Sequence, residues 1–157
     1  DYVKNVEKVI SRYNTNVKNL EIEITETVFF DEKNKMIEVV KQLKELGLNL
    51  AMDDFGSGYS SLSLLREMPV DVLKLDKGFL DGCHGNEKSD RDKRILYHII
   101  SMAKDLEITV LAEGVETAEQ VALLKNAGCR FAQGFYYARP MPIEQFLEFL
   151  DKHEIEE

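Results

Sequence analysis

The chain has 157 residues, 44% of them hydrophobic and 31% charged, enough for one ordinary domain with a real core and too apolar to be disordered. Its net charge of -9 argues against nucleic-acid binding, which normally leaves a basic patch. No stretch reaches transmembrane length, no signal peptide is visible, and the two cysteines, Cys83 and Cys129, fit neither a disulfide framework nor a zinc pattern; a reducing cytoplasm is expected.

In chain order, residues near 2–14 are amphipathic and predict a helix, and the alternating run Leu20 to Thr25 predicts a strand. Apolar residues at Ile37, Val40, Leu43 and Leu46 recur at helical spacing, and Gly47 stands where a C-capping glycine belongs. Leu48 to Met52 reads as the next strand, ending before Asp53-Asp54 and a turn of two glycines. Ser60 to Glu67 predicts a short helix stopped by Pro69, followed by a strand at Val72 to Leu75. Gly82 to Asp90 reads as a surface loop, Asp90 to Leu106 as a helix, and Ile108 to Ala112 as a strand. Thr117 and Gln120 form a capping box at the start of a helix reaching Asn126. Gly128 closes that helix, Cys129 to Ala132 is the last strand, and Ile143 to Leu150 the last helix. Five strands alternating with helices imply parallel βαβ units, and no linker divides them, so residues 1–157 read as a single layer system.

Polar groups fall at or near the C-terminal ends of these strands: Glu23 and Glu26, Asp53 and Asp54, Lys74 and Asp76, Glu113, and Gln133. In a (β/α)₈ barrel the functional groups project from this end, and a doubly wound open sheet obeys the same rule at its switch point. Each acid alone could face solvent, as is expected of Glu21. Four or more carboxylates converging on one mouth need neutralising, and hard cations with oxygen ligands, Mg²⁺ or Mn²⁺, suit them better than zinc. Lys74 inside an apolar strand needs a partner, either the acid cluster or a plain salt bridge to Asp53 or Asp76. No Gly-Lys-Ser/Thr follows the glycines after Asp54, which excludes a P-loop, and no histidine stands where a Ser-His-Asp triad would need it.

The series Glu23-Ile24-Thr25-Glu26, Asp53-Asp54-Phe55-Gly56-Ser57-Gly58, Lys74-Leu75-Asp76, Ala112-Glu113-Gly114-Val115-Glu116 and Gln133-Gly134-Phe135, with Arg139-Pro140-Met141-Pro142 after it, closely resembles the EAL family of bacterial cyclic-di-GMP phosphodiesterases. The resemblance covers essentially the whole chain and implies a modified TIM barrel of which 1–157 is the C-terminal part. It implies metal ligation by Glu23, Asp53, Asp54 and Glu113, with Asp53 bridging two Mg²⁺ or Mn²⁺ ions. It further implies that Lys74 holds the attacking water and that Glu113 binds or activates it. Glu116 and Gln133 match further active-site positions, and Glu26 the acid that anchors the loop after Asp54. The implied reaction is water attack on one phosphodiester bond of cyclic di-GMP, giving linear pGpG. The alternatives are a non-catalytic module that binds the dinucleotide or a protein partner, or a barrel hydrolase acting on another phosphodiester.

The family's Glu-Ala-Leu motif and an asparagine ligand have no counterpart in residues 1–157 and would lie upstream. Two metal ligands would then be missing from the fragment, which is expected to be weakly active or inactive alone. About five strands, where a closed barrel needs about eight, would leave sheet edges that a homodimer or the rest of a longer protein could cover. Other signalling modules are expected in a parent protein of this kind, and a membrane anchor, if it has one, would lie outside these residues.

Overall fold

The computed structural model describes residues 2–25, 29–56, 62–81 and 87–152. Helix α1 (Tyr2–Tyr13) leads into strand β1 (Glu21–Thr25), and the alternation continues with α2 (Phe29–Glu45), β2 (Asn49–Phe55) and α3 (Leu62–Glu67). It proceeds through β3 (Val72–Leu75), the short α4 (Gly78–Asp81), α5 (Glu87–Asp105), β4 (Thr109–Ala112) and α6 (Ala118–Ala127). The two-residue β5 (Phe131–Ala132) and α7 (Ile143–Lys152) complete it. Among the described residues no helix is long and apolar enough to cross a membrane.

All pairings are parallel, and the strands lie side by side in their chain order, β1-β2-β3-β4-β5. A doubly wound sheet reverses its order at a switch point. This sheet never does, so it is an arc of a (β/α) barrel, with its functional mouth at the C-terminal strand ends.

Strand alternation divides the sheet into two faces. Ile24, Met52, Leu73, Leu75 and Ala112 point to one, where they join Val40, Leu43, Leu96, Ile100 and Ala103 from α2 and α5 in a single buried core. Glu23, Asp53 and Lys74 stand at alternate positions on the other face, and Glu113 follows β4 in the same phase. Two glycine-ended helices set the strand entries. Gly47 (φ 85°) closes α2, and Gly128 (φ 79°) caps α6, whose start carries the Thr117–Gln120 capping box.

The elements differ from the sequence expectations at several places, the following four among them. β2 does not stop at Met52 but runs through both aspartates to Phe55. α5 begins at Glu87, so the expected loop Gly82 to Asp90 is helical from that residue on, while 82–86 lie outside the described residues. The last strand is only Phe131–Ala132, because Cys129 N–H still donates to Leu124 O of the preceding helix. The helix α4 has no counterpart in the expected elements; the Asp76 side chain starts it by accepting from Gly78 N–H at 2.9 Å.

Candidate active site

Three elements deliver carboxylates to Lys74. Its Nζ donates to Glu23 Oε1 of β1 at 2.6 Å and lies 2.9 Å from Glu113 Oε1 after β4 and 3.0 Å from Asp53 Oδ1 of β2. Lys74 is only 5% exposed, and of its two expected salt-bridge partners it takes Asp53 and not Asp76. Burial works against its charge, yet the contacts to Glu23, Glu113 and Asp53 win and hold its pKa above the ordinary lysine value.

Asp54 reaches the same place by a backbone irregularity. The register between β2 and β3 shifts between Met52 and Phe55, a β-bulge. Met52 and Phe55 are both buried in the core, so the bulge absorbs one extra residue between them. In regular alternation Asp54 would share Met52's apolar face. Instead it adopts a left-handed φ of 54°, a conformation costing a non-glycine residue on the order of 1–2 kcal/mol. Carboxylate oxygens of Asp53, Asp54 and Glu113 then lie within 4.8 Å of one another. Gly56 (φ 97°) ends the turn against Phe79, whose ring atom Cε2 would lie 2.0 Å from any Cβ at that position.

This donor set fits a hard divalent cation. It is all oxygen: Asp53, Asp54 and Glu113 bring carboxylate oxygens within 4.8 Å of one another, and Glu23, Asp53 and Glu113 share the single ammonium of Lys74 among the described residues. So many like charges around one ammonium are costly unless a further cation compensates them. Glu113 accepts from Gln133 Nε2 at 2.6 Å on the oxygen that also meets Lys74, so Oε2 is left for a ligand.

Beside the acids lies an open cleft of about 580 Å³, walled by Lys77, Glu116, Gln133, Phe135, Arg139 and Phe146. Arg139 stacks its guanidinium 4.4 Å from the Phe135 ring centroid. The loop after β4 joins the two regions, with Glu113 on the cluster and Glu116 on the cleft. Gly114 (φ 66°) permits this, since a Cβ there would meet the Lys77 Cβ at 2.6 Å.

The structure thus gathers Glu23, Asp53, Lys74, Glu113 and Gln133 by direct contacts, adds Asp54 through the bulge, and sets Glu116 apart on the cleft. Glu23 contacts Lys74 but lies outside the tight oxygen cluster of Asp53, Asp54 and Glu113. Glu26 lies outside the described residues. Glu21 is exposed, as expected, and partial burial with the nearby Glu23 charge raises its pKa. Sequence reasoning missed Lys77 and Phe146 as cleft residues. Lys77 follows the strand-end Asp76 directly, a signal that was available; Phe146 reads only as part of an amphipathic helix.

Comparison with known proteins places these features in a family. The family model described as EAL domain matches residues 1–140. Cyclic di-GMP phosphodiesterase NbdA of Pseudomonas aeruginosa is 43% identical over 131 residues, which span 83% of this chain and 16% of NbdA. The structure of the PaMucR phosphodiesterase in complex with c-di-GMP superposes with a TM-score of 0.83 at 34% identity, covering 92% of this chain and 57% of that one. Klebsiella pneumoniae BlrP1 in a manganese/cy-diGMP complex gives 0.80 at 35% identity over 88% of this chain and 34% of its own. The chain spans less than a fifth of NbdA's length.

Proposed function

The chain belongs to the EAL domain family, and from that premise we propose that it forms the C-terminal part of a domain that hydrolyses cyclic di-GMP to linear pGpG. The observation that carries the reading is the convergence of Asp53, Asp54 and Glu113 around a buried lysine at the mouth of a barrel arc. Phosphodiester cleavage needs neutralised phosphoryl oxygens and a water activated near neutral pH. Two Mg²⁺ or Mn²⁺ ions supply both when bound. The family resemblance and the manganese complex of BlrP1 support that choice of metal.

Asp53 and Asp54, with Glu23 at their margin, would hold the ions, and Glu113 adds its charge beside them. Lys74 keeps the crowded acids together before the cations bind and orients the attacking water. Glu113, itself oriented by Gln133, accepts that water's proton on its free oxygen. The cleft seats the dinucleotide: Phe135, Met141 and Phe146 offer apolar faces to a purine, Lys77 and Arg139 offer cations to phosphate, and Glu116 offers a carboxylate to base N–H groups. A protein of charge -9 meeting an anionic substrate requires such local cations. The reading also places the domain in cytoplasmic second-messenger signalling within a longer protein.

The test is turnover of cyclic di-GMP with Mg²⁺ or Mn²⁺ by the complete domain in its parent protein, since residues 1–157 alone are expected to turn over weakly. Glu113→Gln is expected to lower kcat by about 10²–10⁴-fold. Asp53→Asn should weaken Mn²⁺ binding by at least about 10–100-fold. Wild-type turnover in both variants would end the assignment, and tight dinucleotide binding without turnover in the parent would identify a receptor instead.

A further inference from the structure

Gln120 was legible in the sequence as half of a capping box, but its contacts reach beyond the helix. Its side chain is buried, 4% exposed, and its Oε1 accepts two backbone donors, Thr117 N–H at 3.1 Å and Glu116 N–H at 2.7 Å. A capping box needs only the first. The second and shorter bond falls on Glu116, one of the residues that line the cleft. From the other side the same loop is gripped by the segment after β5: Val115 N–H donates to Gln133 O at 3.0 Å and Tyr136 N–H to Val115 O at 2.9 Å. Gly134 allows that grip, because a Cβ there would lie 2.2 Å from backbone atoms of Val115. Glu113 is held independently, through Glu113 N–H to Leu75 O and Gln133 Nε2 to its carboxylate.

We infer that Gln120 is a positioning residue for substrate binding: by fixing the Glu116 backbone it aims the Glu116 carboxylate into the cleft. This rests on the phosphodiesterase reading above. Gln120 touches neither the acid cluster nor Lys74, so its loss reports on substrate seating and not on metal binding or the chemical step.

A double-mutant cycle with Glu116→Gln tests this. Glu116→Gln removes a charged acceptor and is expected to raise KM for cyclic di-GMP by about 10–100-fold. Gln120→Met, which keeps length but removes the acceptor, should raise KM by about tenfold with kcat and Mn²⁺ affinity within about twofold. In the double variant KM should be no higher than in Glu116→Gln alone. Gln120→Glu retains an acceptor and should restore KM. Thr117→Ala, which removes only the hydroxyl that accepts from Gln120 N–H at 3.2 Å, should lower Tm without changing KM. If Gln120→Met fails to fold, Gln120→Asn, whose acceptor is drawn back by one methylene, is read in the same cycle. Additive KM losses, or a fall in kcat and Mn²⁺ affinity at constant KM, would overturn the positioning role. Absence of turnover in the parent protein would instead overturn the reading on which it rests.

Discussion

Asp54 holds a conformation that most residues avoid, with a φ of 54° inside a strand whose neighbours Met52 and Phe55 are buried. Such strain persists only where surrounding structure imposes it, and it concentrates at functional sites. The adjacent charges of Asp53 and Asp54 were legible in the sequence as needing a cation. The bulge that brings both to one place was not, because alternation alone assigns neighbouring residues to opposite faces. Lys74 is the counterpart of this crowding. Replacing it by methionine keeps the stem but leaves Glu23, Asp53 and Glu113 without their shared ammonium. Removing one partner of a buried ion pair costs about 3–5 kcal/mol; since Glu23 is half exposed, about 2–4 kcal/mol is expected for Lys74→Met in EDTA. Saturating Mn²⁺ should raise the variant's Tm by more than it raises the parent's, since the cation then takes over the neutralising role. A variant as stable as the parent in EDTA would show that Lys74 does not hold the acids together.

Between elements, the N-terminal side of the sheet carries a different kind of polar group. Asp71, just before β3, accepts Lys44 Nζ of α2 at 2.7 and 2.8 Å and Leu50 N–H of β2 at 2.8 Å, tying three elements far from the acid cluster. Asp71→Ala is expected to cost about 2–3 kcal/mol in urea unfolding, because it strands a backbone donor and an ion-pair partner. Turnover per folded molecule should stay unchanged, as befits the stability face of a barrel; a kcat loss at full folding would place Asp71 in the chemistry. Most element boundaries were readable from local chemistry, through Gly47, Gly128 and the Thr117 cap. Those that were not had nonlocal or competing causes. Asp76 reads in the sequence as a strand-end acid, and its side chain starts α4 by accepting from Gly78 N–H, a short-range capping signal hidden by its strand-end position. Cys129 reads in the sequence as strand, but its N–H still serves the preceding helix, and its Sγ donates to Phe131 O at 3.3 Å.

At the scale of the whole molecule, protons are held by two groups that lie in different layers. Cys129 is a free, buried thiol between β4 and β5, and burial raises its pKa above its ordinary value of 9.0. Lys74, although burial opposes its charge, is held above its ordinary 10.5 by Glu23, Glu113 and Asp53. Both groups therefore bind a proton more tightly in the folded chain than in the unfolded one. In the windows that begin near these ordinary values, the folded state carries the greater number of protons, so stability falls as pH rises. Each group steepens the fall by at most about 1.4 kcal/mol per pH unit within its window. Urea midpoints measured from about pH 8 to 11 should decline in two stages, the thiol acting first and the lysine above it. Cys129→Ala should remove the first stage and leave the second, whereas Lys74→Met should do the reverse. A midpoint that stays level through pH 10 in the parent protein would contradict the buried thiol, and identical profiles for parent and Cys129→Ala would assign the first stage to another group.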